Sequence, residues 1–304
     1  NLFLVTEYLR DAIEREGRDP ELEALTFIRT KAGNQLLQTE EGSYFRLYRM
    51  ICCGEEMQKP TTPEEAYEAA KAVGEFHRLL RDFDSSQLGA TVPKLHDMRN
   101  AMRQLLDAVR ADICFRTSDC QEQIQFVLDR ADEAGAAMEM QKAGKLPLRV
   151  THNDTKLNNI MIDDGTGEAL CIIDLDTIMP GLSIFDFGDS IRFGANTAAE
   201  DEPDYSLAGL SLPLFDIYTK GYLEGCKGSL TKEEVQMLPM GAKLMTYECG
   251  VRFLTDYLQG DVYFKITREN HNLDRCHTQF ALVADMEKKW EEMKAVVEKY
   301  AGQQ

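Results

Sequence analysis

The chain has 304 residues, 43% of them hydrophobic and 28% charged, close to ordinary globular usage. With 21 Gly and 9 Pro it is neither a disordered nor a collagen-like polymer. Asp and Glu number 52 against 34 Lys and Arg, a net charge of −18. Such a surface repels phosphate backbones and excludes nucleic acid as the main partner, though not a small anion neutralised by Mg²⁺ and a few local cations.

Residues 1–15 read as a helix with Leu4, Tyr8, Leu9 and Ile13 on one side. Residues 25–29 and 44–51 read as strands separated by turns at 31–34 and 40–43, a small antiparallel piece of sheet. A hinge is expected over residues 51–60. Thr62 as N-cap, Pro63 at the first helical position and Glu65 closing a capping box open the next helix. Its apolar stripe is Ala66, Ala69, Ala70, Val73, Phe76 and Leu80.

Residues 95–143 continue as helix, followed by a short strand near 148–151. A hairpin then pairs residues 160–162 with 169–175 around the turn 163–167. The remainder is helical, with a second capping box at Thr231 and Glu234 and a new helical turn at Pro239. The last helix carries the stripe Phe280, Val283, Met286, Trp290, Met293 and Val297. No apolar run approaches the ~18 residues of a membrane helix. No basic stretch with an apolar h-region follows Asn1, and the eight Cys show neither C-x-x-C nor zinc-like spacing with His. The expectation is a cytoplasmic protein with reduced thiols and no membrane partner.

The chemistry concentrates in residues 151–160 and 170–176. Asp154, Lys156 and Asn159 share one irregular loop between strands, and Asp174 ends the apolar run 171–173. Polar groups between buried strands are costly unless something satisfies them, and Mg²⁺ on a polyphosphate takes one or two hard oxygen ligands. Phosphoryl transfer uses these residue types in this order. Asp154 would accept the proton of a substrate hydroxyl, Asn159 and Asp174 would hold Mg²⁺, and Lys156 would touch the transferring phosphate. His152 reads as a hydrogen-bonded brace of the loop. The tripeptide Asp186-Phe187-Gly188 spells the magnesium motif of protein kinases but follows Pro180 and Gly181 rather than an apolar strand. Asp186 and Asp189 are therefore read as bracing the loop.

Four segments carry a resemblance: H-N-D-T-K-L-N-N (152–159), I-D-L-D-T-I-M-P-G (173–181), D-F-G-D-S-I-R-F-G (186–194) and G-V-R-F-L-T-D-Y-L-Q-G-D-V-Y-F (250–264). Together they resemble the N-acetylhexosamine 1-kinases of the aminoglycoside phosphotransferase and choline kinase group. The resemblance implies an α+β, protein-kinase-like two-lobe fold, with a mostly helical C-lobe that carries the catalytic hairpin. It also implies transfer of the γ-phosphoryl of ATP, with Mg²⁺, to the anomeric hydroxyl of GlcNAc or GalNAc. Asp154 would be the base, Asn159 and Asp174 the metal ligands, and Arg252 and Tyr263 sugar contacts. Read from the residues alone, Arg252 would be a surface i,i+4 partner of Glu248, and Tyr263 a half-buried aromatic.

That fold also requires a glycine-rich loop and a strand lysine paired with a helix glutamate. The first Gly is Gly17 and the first Lys is Lys31, inside a turn. Residues 1–55 are thus expected to form an incomplete N-lobe and residues 56–304 the C-lobe. Glu7 is weighed as the lysine's partner without being assigned. Adenine would bond backbone groups at Arg49, Met50 and Ile51. The competing readings are a kinase of the same group with another hydroxyl acceptor (an amino alcohol, an aminoglycoside or another sugar) and an inactive nucleotide-binding module.

Overall fold

The computed structural model describes residues 1–51, 62–302 and the backbone of 54–56. α1 (Leu2–Arg15) buries Val5, Leu9, Ala12 and Ile13, whereas Leu4 faces solvent. The buried stripe is rotated from the one expected because Val5, not Leu4, shares a face with Leu9 and Ala12 at helical spacing. α2 (Pro20–Glu23) is a single turn capped by Asp19. The expected antiparallel piece is built from two short ladders. β1 (Phe27–Ile28) pairs with β4 (Leu47–Tyr48), and β2 (Leu37–Gln38) pairs with β3 (Tyr44–Phe45). Glu7, on an exposed face of α1, is ion-paired with Arg29 at 2.7 Å.

Part of the expected hinge lies outside the described residues, but β5 (Gly54–Glu56) does not. It pairs antiparallel with β7 (Ile160–Asp163), so the expected hairpin of β7 and β8 (Ala169–Ile172) is in fact a three-stranded sheet. β6 (Arg149–Thr151) pairs with β9 (Met179–Gly181) on either side of the loop that carries the polar residues.

α3 (Pro63–Leu79) starts at the expected N-cap, with Thr62 Oγ accepting the Glu65 amide at 3.1 Å and Pro63 in the first turn, and buries its whole predicted stripe. It packs along α9 (Leu212–Cys226). Helices α4 (Met98–Ala111), α5 (Gln121–Leu128), α6 (Ala131–Ala134) and α7 (Ala136–Lys142) fill the segment between α3 and β6. α8 (Ser183–Gly194) is almost wholly buried, and α10 (Lys232–Gln236) carries the reciprocal Thr231–Glu234 capping box. α11 (Leu238–Leu258) is the central helix, packed on α8, α4 and α12 (His271–Lys288). The single last helix expected from its stripe is two helices, α12 and α13 (Trp290–Ala301), separated at Lys289. Both segments keep their apolar faces buried, so periodicity alone could not show the break.

One core fills the helical body. A second joins Val5, Leu9, Leu25 and Ile51 from the front to Phe76, Leu80, Val150, Cys171, Leu175 and Ile178. The α1 region and the β7–β8 hairpin therefore share buried surface, which fixes the position of the polar loop next to them. Among the described residues, no helix is long and apolar enough to cross a membrane, and the cysteines are free and form no metal-binding group.

Candidate active site

The loop between β6 and β7 is held by a dense set of backbone bonds. Asp186, at the start of α8 and fully buried, accepts the His152 amide on Oδ2 at 2.8 Å and the Asn153 amide on Oδ1 at 2.7 Å. His77 Nε2 approaches the same carboxylate at 3.2 Å. Burial works to raise the Asp186 carboxyl, but the His77 contact and the donated amide hold it below its ordinary value. Thr155 Oγ donates to the Asp186 carbonyl at 2.5 Å and Ser190 Oγ to the Thr155 carbonyl at 3.1 Å. His152 Nε2 donates to the Ile173 carbonyl at 2.9 Å while its Nδ1 accepts the Asp154 amide at 3.2 Å, which sets the neutral tautomer. Both ring nitrogens are engaged in ordering the loop.

Asp189 does not share this task. Its hydrogen-bond partner is Arg192, one turn on, at 3.0 Å, and its Oδ2 is buried without a partner among the described residues. Burial raises its carboxyl; Arg192 opposes this and the nearby Asp154 charge adds to it, leaving it above its ordinary value. The bracing expected of Asp186 and Asp189 together is supplied by Asp186, Thr155 and Ser190.

Within this frame Asp154 is half-buried. Its Oδ2 meets Lys156 Nζ at 3.0 Å and accepts Asn159 Nδ2 at 3.1 Å, while Asn159 Nδ2 also donates to the Asp154 carbonyl at 2.8 Å. With the Asn159 amide group so committed, its carbonyl oxygen is the end left for a cation. Asp174 lies two residues beyond β8 in the left-handed region at φ 58°, not within the strand. Both Asn159 and Asp174 line a cleft of about 470 Å³ whose other wall includes Tyr48, Arg49, Met50 and Ile51. The structure thus brings the expected nucleotide edge and the expected metal ligands to one cavity. The Arg49 amide, however, already donates to the Thr26 carbonyl at 2.8 Å, and its side chain pairs with Glu21.

Two carboxyl and carboxamide oxygens on one cleft wall suit Mg²⁺, which needs few protein ligands. A further oxygen supports that fit: Asn158 Oδ1, on the same wall, is buried without a partner among the described residues. Sequence reasoning missed Asn158. It also missed Arg46, whose guanidinium forks onto Asp176 beside Asp174. No signal in the sequence joins these two, since 130 residues separate them.

A second cleft, of about 270 Å³, is lined by Arg252 and Tyr263 together with Lys94, Asn100, Gln104, Gln259 and Phe264. Arg252 Nη2 lies 3.5 Å from the Tyr263 hydroxyl, with its guanidinium over the rings of Tyr263 and Phe264. The i,i+4 pair with Glu248 does not form. Glu248 is buried and accepts the His96 amide at 3.0 Å and meets His96 Nδ1 at 2.7 Å. The other acid on the wall, Asp256, is taken up by backbone amides of residues 262–264. Among the described residues neither Lys94 nor Arg252 is ion-paired.

The sequence profile of the phosphotransferase enzyme family matches residues 14–218, which include β6 to β9 and Lys94, Asn100 and Gln104 of the second cleft but not Arg252 or Tyr263. Solved structures share the fold. An aminoglycoside phosphotransferase from Alicyclobacillus acidocaldarius aligns over 100% of this chain and 84% of its own, at 14% identity and a TM-score of 0.63. A choline kinase from Cryptosporidium parvum aligns over 87% of this chain and 76% of its own, at 15% identity and a TM-score of 0.57. A Plasmodium vivax ethanolamine kinase aligns over 93% and 73%, at 13% identity and a TM-score of 0.55. The fold is the α+β, kinase-like one with a helical C-lobe. The chain belongs to the phosphotransferase enzyme family.

Proposed function

We propose that this phosphotransferase moves the γ-phosphoryl of ATP to the anomeric hydroxyl of an N-acetylhexosamine, GlcNAc or GalNAc, giving the sugar 1-phosphate. The observation that carries the choice of acceptor is the charge of the second cleft. Its two acids are engaged by His96 and by backbone amides, while Lys94 and Arg252 stay unpaired among the described residues. Choline, ethanolamine and aminoglycosides are cations, which such a wall repels. A neutral sugar instead presents hydroxyl and acetamido oxygens to Arg252 and Lys94, and an apolar ring face to Tyr263.

In this reading the sugar hydroxyl gives its proton to Asp154 Oδ1, a new O–P bond forms, the β–γ bridging P–O bond breaks, and ADP leaves. Lys156, beside Asp154, faces the transferring phosphate. Asn159 and Asp174 would hold Mg²⁺, which neutralises charge on the phosphates. Backbone groups near Met50 and Ile51 take the adenine edge. His152 and Asp186 hold the loop still, so that Asp154 meets its substrate without reorganisation. We propose further that the chain divides near residue 55 and that the enzyme works in the cytoplasm.

An acceptor panel with ATP and Mg²⁺, read by product mass and linkage position, tests this. GlcNAc or GalNAc phosphorylated at the anomeric position is the expected result. Faster turnover of choline, ethanolamine or an aminoglycoside overturns the acceptor assignment.

A further inference from the structure

Asp256 lies one helical turn beyond Arg252 on α11, and its buried carboxylate takes three successive amides of the adjoining turn. Val262 and Tyr263 donate to Oδ1 at 2.9 and 2.8 Å, and Phe264 donates to Oδ2 at 3.0 Å. Asn272, in the first turn of α12, donates through Nδ2 to Asp256 Oδ2 and to Asp261 Oδ1, both at 2.9 Å. Arg116 closes the turn from the other side, donating to Asp261 Oδ2 at 2.7 Å and to the Tyr257 carbonyl at 2.6 Å. Gly260 and Asp261 both have positive φ, so the chain reverses sharply there.

Tyr263 itself is 71% exposed. An exposed aromatic on a short surface turn ordinarily wanders. Here its backbone is fixed, because charge-assisted bonds to one carboxylate are short, directional and shared by three neighbouring residues. The sequence motif 250–264 is thereby explained as one device: α11 carries Arg252, and Asp256 on the same helix brings Tyr263 back to it.

We propose that Asp256 is a positioning residue for acceptor recognition, holding the 262–264 turn so that Tyr263 is already beside Arg252 when the acceptor arrives. This rests on the acceptor-cleft reading above. Fixing the turn beforehand removes an ordering cost from binding, so its loss should appear in the acceptor KM and not in the nucleotide KM.

Asp256→Asn in the full chain tests it, since the carboxamide keeps the shape but turns a donor toward Phe264 and Asn272. Without any ligand, hydrogen exchange at the 262–264 amides should accelerate at least ~10-fold while the rest of α11 keeps its protection. With ATP, Mg²⁺ and GlcNAc, the GlcNAc KM should rise on the order of tenfold and the ATP KM should stay within twofold. In a Tyr263→Ala background Asp256→Asn should add little, because both remove the same contact. Unchanged exchange, a GlcNAc KM within twofold of wild type, or fully additive losses would each overturn the proposal. If the wild-type chain leaves GlcNAc untouched, the sugar assignment fails. The kinetics are then run with the best acceptor of the panel, and the role of Asp256 is decided there. Should Asp256→Asn not fold, Asn272→Ser keeps the carboxylate and removes one donor. It should shift both readouts in the same direction, and no change in either overturns the proposal.

Discussion

A carboxylate that must take a proton needs one oxygen left open, and Asp154 has this arrangement. Oδ2 is engaged by Lys156 and Asn159, while no hydrogen bond among the described residues occupies Oδ1. Asp154→Asn preserves the shape, so kcat should fall by roughly 10²–10⁴ with the thermal midpoint nearly unmoved. Turnover within about threefold of wild type would remove Asp154 from the base role. Asp174 and Asp186 should separate cleanly. Asp174→Asn should raise the Mg²⁺ concentration needed for turnover, because a carboxamide is a poor ligand for a hard cation. Asp186→Asn would set a carboxamide donor against an amide of the loop and leave His77 without its acid. It should cost about 3 kcal/mol of stability with an unchanged Mg²⁺ dependence in the folded fraction. Denaturant unfolding and Mg²⁺ titration of both variants check the pair, and the opposite ordering would move the metal site to Asp186.

At the scale of elements, α8 and α11 cross so closely that a methyl group at Gly188 would collide with the Gly241 carbonyl, and one at Gly241 with the Ile184 carbonyl. The glycine of the kinase-like tripeptide thus serves helix packing, which keeps Asp186 and Asp189 on α8 at a fixed distance from Arg252 on α11. The entry to α4 is tied to α11 differently, through the buried pair His96–Glu248. Burial alone would lower His96, but Glu248, with Asp189 beyond it, raises it above its ordinary 6.5 against the opposing Arg252 charge. Burial alone would raise Glu248, but His96 and Arg252 hold it below its ordinary 4.5. Protonated His96 therefore contributes fully below about pH 6.5 and is lost as pH rises through its raised value. Ionised Glu248 contributes above about pH 4.5 and is lost as pH falls through its depressed value. The stability gap between wild type and His96→Asn should be widest near pH 5–6, at about 3 kcal/mol, and narrow on both sides. Asn suits the position because His96 has φ 59°. Urea unfolding across pH measures this, and a gap flat with pH would mean the contact is not ionic.

For the molecule as a whole, what could be read from the sequence was whatever lies close along the chain. Helix starts at Thr62 and Thr231, the buried stripe of α3, and the loop from His152 to Asn159 are local patterns of spacing and side-chain chemistry. Contacts made at long range were not legible: Arg46 with Asp176 spans 130 residues and His96 with Glu248 spans 152. The same divide explains why β5 was read as hinge. Nothing within 54–56 announces a strand until β7 is beside it. That pairing bears on how the enzyme comes to be active. The sheet of β7 and β8, whose ends lead into Asn159 and Asp174, gains its third strand only when residues 54–56 reach 161–163 across a gap of roughly a hundred residues, and closing so long a loop is slow relative to forming helices. On refolding from denaturant, far-UV ellipticity should recover before phosphotransfer does, by a measurable lag in stopped-flow and quenched-activity traces. Coincident recovery would sink the idea. If the lag is there, a sample can show its full helical signal while a share of its molecules still lacks the finished sheet beside Asn159 and Asp174, and specific activity rather than ellipticity must be used to count competent enzyme.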